Sequence, residues 1–293
     1  MSVLDRLEAA LVGALLRIFG ALPPSAASNL AGGFAARVGP LLPVSRVAHD
    51  NLAAAMPELD ARARARIVRG VWENLGRTAG EFPHVAGLPH NAARGPGWEL
   101  EGEDIVTRLA ASGGPAIFFS GHIGNWEVLR PAAFHYGIAI GSLYRAAQNA
   151  RVDALITSVR GRGVGEAPKL FPKGAKGARQ VLAHLRAGGF LALLVDQKLN
   201  DGIEARFFGR PAMTAPAAAS FALHFRCPLV PAHCVRVGPA RLRLIVEPPL
   251  PLPDTGDRAR DVAVLTQMMN DVLERWVREQ PESWLWLHRR WKK

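Results

Sequence analysis

The stretch Ala116-Ile-Phe-Phe-Ser-Gly-His122-Ile-Gly-Asn-Trp-Glu127 decides how this chain folds. An apolar run of strand type stops at Ser120-Gly121, and a His and a Glu follow with four residues between them. Residues five apart on an ideal helix point to different faces. The two side chains therefore meet only if His122 stands in a strand-to-helix turn and Glu127 in the first helical turn. A His held by a carboxylate at the mouth of a sheet is a general base. The same residues also read as a polar turn, with a solvent-facing His and a first-turn Glu that complements the helix dipole.

Working outward, apolar runs of strand type alternate with helical stretches from Gly97 onward, which is the texture of a βα-type sheet. Strands are predicted at 98–100, 116–120, 138–144, 190–195, 229–235 and 242–246. Helices are predicted at 104–111, 126–135, 151–162, 176–186, 216–225 and 257–279, with Pro131 shortening or kinking the second. Residues 25–81 keep a helical pattern broken at Gly39-Pro40, Pro43 and Met56-Pro57, without strand-like alternation. The fold class that follows is α/β: a mixed central sheet flanked by helices, behind a helical N-terminal layer. The expected organisation is an amphipathic membrane-associating helix over 1–22, a helical layer over 23–96 and a single α/β core over 97–293.

The N-terminal stretch sets Leu4, Leu7, Leu11, Leu15, Ile18 and Phe19 at helical spacing, interrupted by Asp5, Arg6, Glu8 and Arg17. Those charges make it a poor spanning helix. A helix in the membrane interface, ended by Pro23-Pro24, fits better than one docked on the core.

With 293 residues, 49% of them apolar, the chain has material for a sizeable core. A formal net charge of +11 implies an anionic partner without naming it. Nucleic acid is not expected, since no helix-turn-helix, RNP-type strand or zinc finger is legible. Cys227 and Cys234 form no CxxC, the nine His are scattered without metal-ligand spacing, and no metal is expected.

Four further segments carry polar or aromatic residues where strands or loops end. Arg145, in Ser142-Leu-Tyr-Arg145, suits a phosphate or carboxylate clamp, or simply caps the next helix. In Leu194-Val-Asp196-Gln-Lys198 a hydrophobic strand ends in three polar side chains. If these strands are parallel, His122, Arg145 and Asp196 converge beyond their carboxyl ends, where open α/β sheets bind ligands. Phe207-Phe208-Gly209 reads either as the wall of an acyl channel or as ordinary core. The terminal Trp284-Leu-Trp286-Leu-His288-Arg-Arg-Trp291-Lys-Lys suits an interfacial belt, a docking strand or a ligand rim.

Taken together, Gly121-His122 through Glu127, Tyr144-Arg145 with Asn149, Asp196-Gln197, Phe207-Phe208-Gly209 and Trp286 through Lys292 resemble in order and spacing the bacterial lipid A biosynthesis acyltransferases. These are lauroyl and myristoyl transferases of the lysophospholipid acyltransferase superfamily, marked by a His followed after four residues by Asp or Glu. The likeness covers nearly the whole chain, including Asp50-Asn51-Leu52 and Gly76 through Glu81 in the helical layer. A bare HxxxxE is weak, whereas five ordered motifs are specific.

The resemblance implies a glycerolipid acyltransferase-like core at the cytoplasmic face of the inner membrane. Its reaction moves a fatty acyl chain from an acyl carrier protein thioester, or alternatively acyl-CoA, to a hydroxyl of a phosphorylated glycolipid, without a bound cofactor. His122 is then the base and Glu127 the residue fixing its tautomer. The backbone amides of Gly124 and Asn125 become the oxyanion donors. Arg145 and Arg160 would take the acceptor's phosphate, with Lys173 a poorer third, and Tyr144, Asn149, Asp196 and Gln197 complete the acceptor site. Two departures from the most studied members are the rather polar N-terminal segment and Trp291 where Phe is common. A lysophospholipid, ornithine lipid or mannosylated phosphoinositide acceptor is the close rival. A basic membrane-surface module is the non-enzymatic one. A hydrolase with a GxSxG elbow is not, because the chain lacks that motif.

Overall fold

In a computed structural model of the chain, the described residues are 3–162 and 169–291; Lys292 and Lys293 of the terminal basic run lie outside them. The chain opens with four helices: α1 (Val3–Ala21), α2 (Pro24–Val38), α3 (Ser45–Ala55) and α4 (Ala61–Glu81). The long contact of this layer is α2 on α4, and small residues make it close. A Cβ at Gly76 would stand 2.4 Å from the Ala31 carbonyl oxygen, and one at Gly80 2.4 Å from that of Ala27. The run Gly76 through Glu81 is thus first a packing seam.

The alternating part then follows as β1 (Gly97–Glu101), α5 (Glu103–Ser112), β2 (Ala116–Ser120), α6 (Leu129–His135), β3 (Ile140–Tyr144), α7 (Ala150–Gly161), β4 (Leu170–Pro172), α8 (Ala175–Arg186), β5 (Phe190–Leu194), β6 (Lys198–Phe207), β7 (Arg210–Thr214), α9 (Ala217–Phe225), β8 (Leu229–Gly238), β9 (Arg241–Val246) and α10 (Arg258–Glu279). Seven strands form one sheet in the order β1-β9-β8-β2-β5-β3-β4, and β6 with β7 makes a separate hairpin. The central strands β8, β2, β5, β3 and β4 are parallel, β9 runs antiparallel to β8, and β1 runs parallel to β9. The sheet is mixed, as the sequence predicts.

Every residue of β2 is buried, so it is covered on both faces. Ile117 and Phe119 join Leu191 and Leu193 in one core with α8, α9 and α10; Ala116 and Phe118 point the other way, into a core with Ile140, Val230, Ala232 and residues of α5. Pro131 leaves α6 only seven residues, preceded by a single 3₁₀ turn at Trp126–Val128.

Three elements escape the sequence reading. The edge strand β4 has three residues, too short for a period to register. The hairpin β6–β7 occupies the region of the Phe207-Phe208-Gly209 motif. Phe207 pairs with Arg210, and between them Phe208 (φ 53°) and Gly209 (φ 67°) both sit in the left-handed region, the geometry of a type I′ turn.

Candidate active site

Parallel β2, β3 and β5 deliver their carboxyl ends to one edge of the sheet, and His122, Tyr144-Arg145 and Asp196 follow directly from them. His122 and Asp196 touch. Asp196 Oδ1 lies 2.9 Å from His122 Nδ1, and Oδ2 accepts the His122 backbone N–H at 2.8 Å. Since a carboxylate only accepts, Nδ1 carries the proton and Nε2 stays free. Asp196 is fully buried, and Oδ2 also accepts from Trp284 Nε1 at 2.8 Å. The His122 side chain remains 18% exposed, with Trp126 edge-on at 5.1 Å between ring centres.

This pairing corrects the expectation that Glu127 orients the imidazole. Glu127 instead binds Arg160 in a fork, at 2.9 Å to Nε and 2.5 Å to Nη2. Both ends of that pair face the site, and the Glu127 charge still acts on His122 through space. The sequence ranks Glu127 first because it is near in the chain. Asp196 wins because adjacent parallel strands bring two turns together that lie 74 residues apart.

The electrostatics follow from that contact. Burial of His122 disfavours its protonated form, but the charge and hydrogen bond of Asp196, aided by Glu127, outweigh burial, while Lys173 opposes them. The net imidazole pKa is raised. Burial likewise pushes Asp196 up, and the charges of His122 and His288 with the hydrogen bonds from His122 hold it well below the usual carboxylate range.

The turn that carries His122 is clamped from two sides. From α4, Glu81 accepts the Asn125 side-chain N–H at 2.7 Å, and Asn74 and Thr78 donate to the Gly124 carbonyl at 3.1 and 3.2 Å. Glu81 is itself buried against Arg236, Ser28 and the Ala240 amide. From the C-terminal segment, Leu285 N–H donates to the His122 carbonyl at 3.1 Å, and the Ser283 carbonyl accepts the Gly124 N–H at 3.0 Å. Asn51 secures that segment through the Trp286 and His288 carbonyls at 2.9 and 2.7 Å. Gly124 has φ +60°, and a Cβ there would lie 2.0 Å from the Cys234 carbonyl oxygen, so the turn needs glycine.

These clamps revise several other expectations. The Gly124 N–H is spent on the Ser283 carbonyl, so it is not available to an oxyanion. Asn149 caps α7 through the Arg151 N–H at 3.0 Å, and its amide binds the Asp5 carbonyl and Glu8 at 2.7 and 2.9 Å. It fastens α1 to α7 rather than facing an acceptor. Phe207 is fully buried among Phe208, Trp284 and Trp291 at 4.9 to 5.7 Å, and Arg290 lies over its ring. Phe207 and Phe208 are core beneath Trp284, not an acyl wall, and Gly209 is exposed at the turn.

An apolar cavity of about 480 Å³ opens at His122 and runs over the opposite face of the sheet, under α5 and α6. Phe118, Ile140, Ala192, Ala232, Leu244 and Leu100 line its floor, drawn from six strands. Its mouth holds His122, Glu127, Tyr144, Arg145, Arg160, Lys173 and Gln197. Such a volume suits a single lipid-like chain. Trp284, Thr78 and Glu81 lie in motifs legible in the sequence, whereas Asn74 stands just outside the Gly76 through Glu81 run and carries no such signal. Among the described residues, no cluster of three or more His, Cys, Asp or Glu is placed to hold a metal.

The family model described as bacterial lipid A biosynthesis acyltransferase matches residues 1–293, the whole chain, and the chain belongs to that family. It is accordingly an O-acyltransferase of lipid A biosynthesis. No curated protein gives a significant match.

Proposed function

With membership of that family as the premise, we propose that the chain transfers a fatty acyl group from an acyl carrier protein thioester to a hydroxyl of a phosphorylated lipid A precursor, using His122 as base and Asp196 as its partner. The observation that carries this reading is the His122–Asp196 pair standing at the mouth of an apolar cavity. A sugar or hydroxyacyl hydroxyl stays protonated at neutral pH and is a poor nucleophile without a base. The acceptor oxygen attacks the thioester carbonyl as its proton passes to His122 Nε2. The tetrahedral intermediate then expels the thiolate, which recovers the proton from the imidazolium, so His122 ends as it began.

Asp196 stabilises the imidazolium and fixes its tautomer. Lys173, whose charge reaches His122, is the group on hand for the oxyanion. Arg145 and Arg160 are the cations for the acceptor's phosphate, with Glu127 holding the Arg160 fork, and Tyr144 and Gln197 border the acceptor.

The apolar stripe of α1 supports attachment to the cytoplasmic face of the inner membrane. Leu4, Leu7, Leu11, Leu15 and Ile18 face solvent, with Leu4 at 75% exposure, while Ala9 and Gly13 are the buried side. Leu30 and Phe34 of α2 and Leu41 extend the exposed apolar surface. No helix among the described residues is long and apolar enough to cross a membrane. Interfacial binding by the helix, strengthened by the basic charge on anionic lipid, is the mode that fits. Since Asn149 fastens α1 to α7, the membrane helix lies next to the Arg145 side of the site.

The deciding experiment replaces His122 by Ala. Transfer from acyl carrier protein to lipid A precursor should be lost while vesicle binding persists; undiminished transfer overturns the mechanism. Mass spectrometry of glycolipid from cells lacking the protein should show a missing acyl mass.

A further inference from the structure

The cavity has a second end, and one polar-tipped side chain stands there. It crosses the sheet at right angles to the strands, from the His122 turn after β2 over β8 and β9 to Leu100 of β1. At about 4.8 Å per strand, three steps place β1 roughly 14 Å from the base. Tyr136, which follows α6, lines the cavity at that end, with Trp98 of β1 at 6.4 Å and His90 at 5.8 Å between ring centres. Its hydroxyl donates to Glu103 Oε1 at 2.9 Å and lies 3.3 Å from His90 Nε2. Glu103 opens α5 and His90 stacks on Trp98 at 4.2 Å, so the ring is held from two elements.

We propose that Tyr136, fixed by Glu103 and His90, is the end wall of the acyl cavity and sets the longest chain the enzyme transfers. This rests on the acyl-transfer reading above. The remaining lining at that end, Leu100, Val106 and Val246, is aliphatic and can yield by rotamer changes. A hydroxyl tied at its far tip keeps the aromatic ring from swinging aside. A chain one methylene too long must displace that ring or leave its terminus in solvent. A chain too short leaves apolar wall uncovered.

The test offers the full-length protein and lipid A precursor a competing mixture of saturated acyl carrier protein thioesters of increasing length, with products read by mass spectrometry. Tyr136→Ala should move the optimum to longer chains, with kcat/KM rising about fourfold for each methylene newly covered, from the ~0.8 kcal/mol of a buried CH₂. Tyr136→Phe keeps the ring without its tether, so the optimum should stay while discrimination against longer chains weakens. Ala133→Leu, which fills the cavity beside Tyr136, should move the optimum to shorter chains and decides the matter should Tyr136→Ala not fold. An unmoved optimum in folded Tyr136→Ala, or in Ala133→Leu, overturns the end wall alone. Absence of transfer by the unaltered protein from every donor overturns the acyl-transfer reading and the end wall with it.

Discussion

Asp196 grips His122 at two points, taking the ring Nδ1–H on one carboxylate oxygen at 2.9 Å and the backbone N–H on the other at 2.8 Å. Side chain and backbone of His122 are thus referred to one buried group, itself steadied by Trp284. Asp196→Asn presents an amide N–H or a neutral oxygen to Nδ1 and removes the charge that favours the imidazolium. Transfer should fall roughly 10³- to 10⁴-fold. Adding His122→Ala should cost little more, because the two act as one unit. Steady-state rates of the single and double variants check this.

The raised His122 pKa sets a pH profile. A base must be deprotonated, so kcat/KM should rise with pH along a limb lying above the ordinary histidine value of about 6.5. Asp196→Asn and Glu127→Gln should each move that limb downward. Stability runs the other way for this group. Its contribution is full below the unfolded pKa and is lost as pH rises through the folded one. Asp196, depressed on folding, contributes above its unfolded pKa and loses that contribution as pH falls through the folded value. The pair should therefore stabilise most between about pH 3.9 and 6.5, which denaturant titrations across pH can measure.

Glu127 and Arg160 should behave as a positioning pair. Arg160→Lys cannot form the fork, and Glu127→Ala releases the guanidinium; each should cost about a hundredfold in kcat/KM through misplacement of the acceptor. The loss should appear largely in KM for the acceptor, whereas Asp196→Asn should act on kcat. A Glu127→Gln variant that matches Asp196→Asn in kcat would return Glu127 to the role the chain spacing first suggests.

On α1, Leu7→Ser, Leu11→Ser and Leu15→Ser together should reduce partition onto vesicles containing anionic lipid by tenfold or more, since each Leu buries about 1.5–3 kcal/mol when fully covered. Turnover on detergent-dispersed acceptor should stay close to that of the unaltered protein. Asn149→Ala should do the reverse, loosening α1 from α7 beside the site. Flotation and detergent assays on the same preparations separate the two.

Phe207→Ala should cost about 3–5 kcal/mol of stability, seen as a lower melting temperature, because it hollows the aromatic cluster under Trp284. The chain-length preference of whatever activity survives should not move. A shifted preference would restore Phe207 to the acyl wall.

The sequence by itself determined the order of elements and the edge at which the site lies. Buried strands such as 116–120 are read from continuous apolar runs, and the turn after β2 from the abrupt change at Ser120-Gly121, because strand burial and turn chemistry are local properties. It also determined the family, since ordered motifs survive without any knowledge of contacts. Only the tertiary structure decided which carboxylate holds His122, that the Gly124 amide is already spent, and which apolar residues enclose the cavity. Each of those depends on a distance across the sheet between residues remote in the chain. The hydrogen bond from His122 to Asp196 arises from the parallel register of β2 and β5, and chain proximity to Glu127 carries no information about it. Phe207 and Phe118 are both apolar and both lie in strands. Only the pleat and the hairpin turn sent one into the aromatic core and the other to the floor of the cavity.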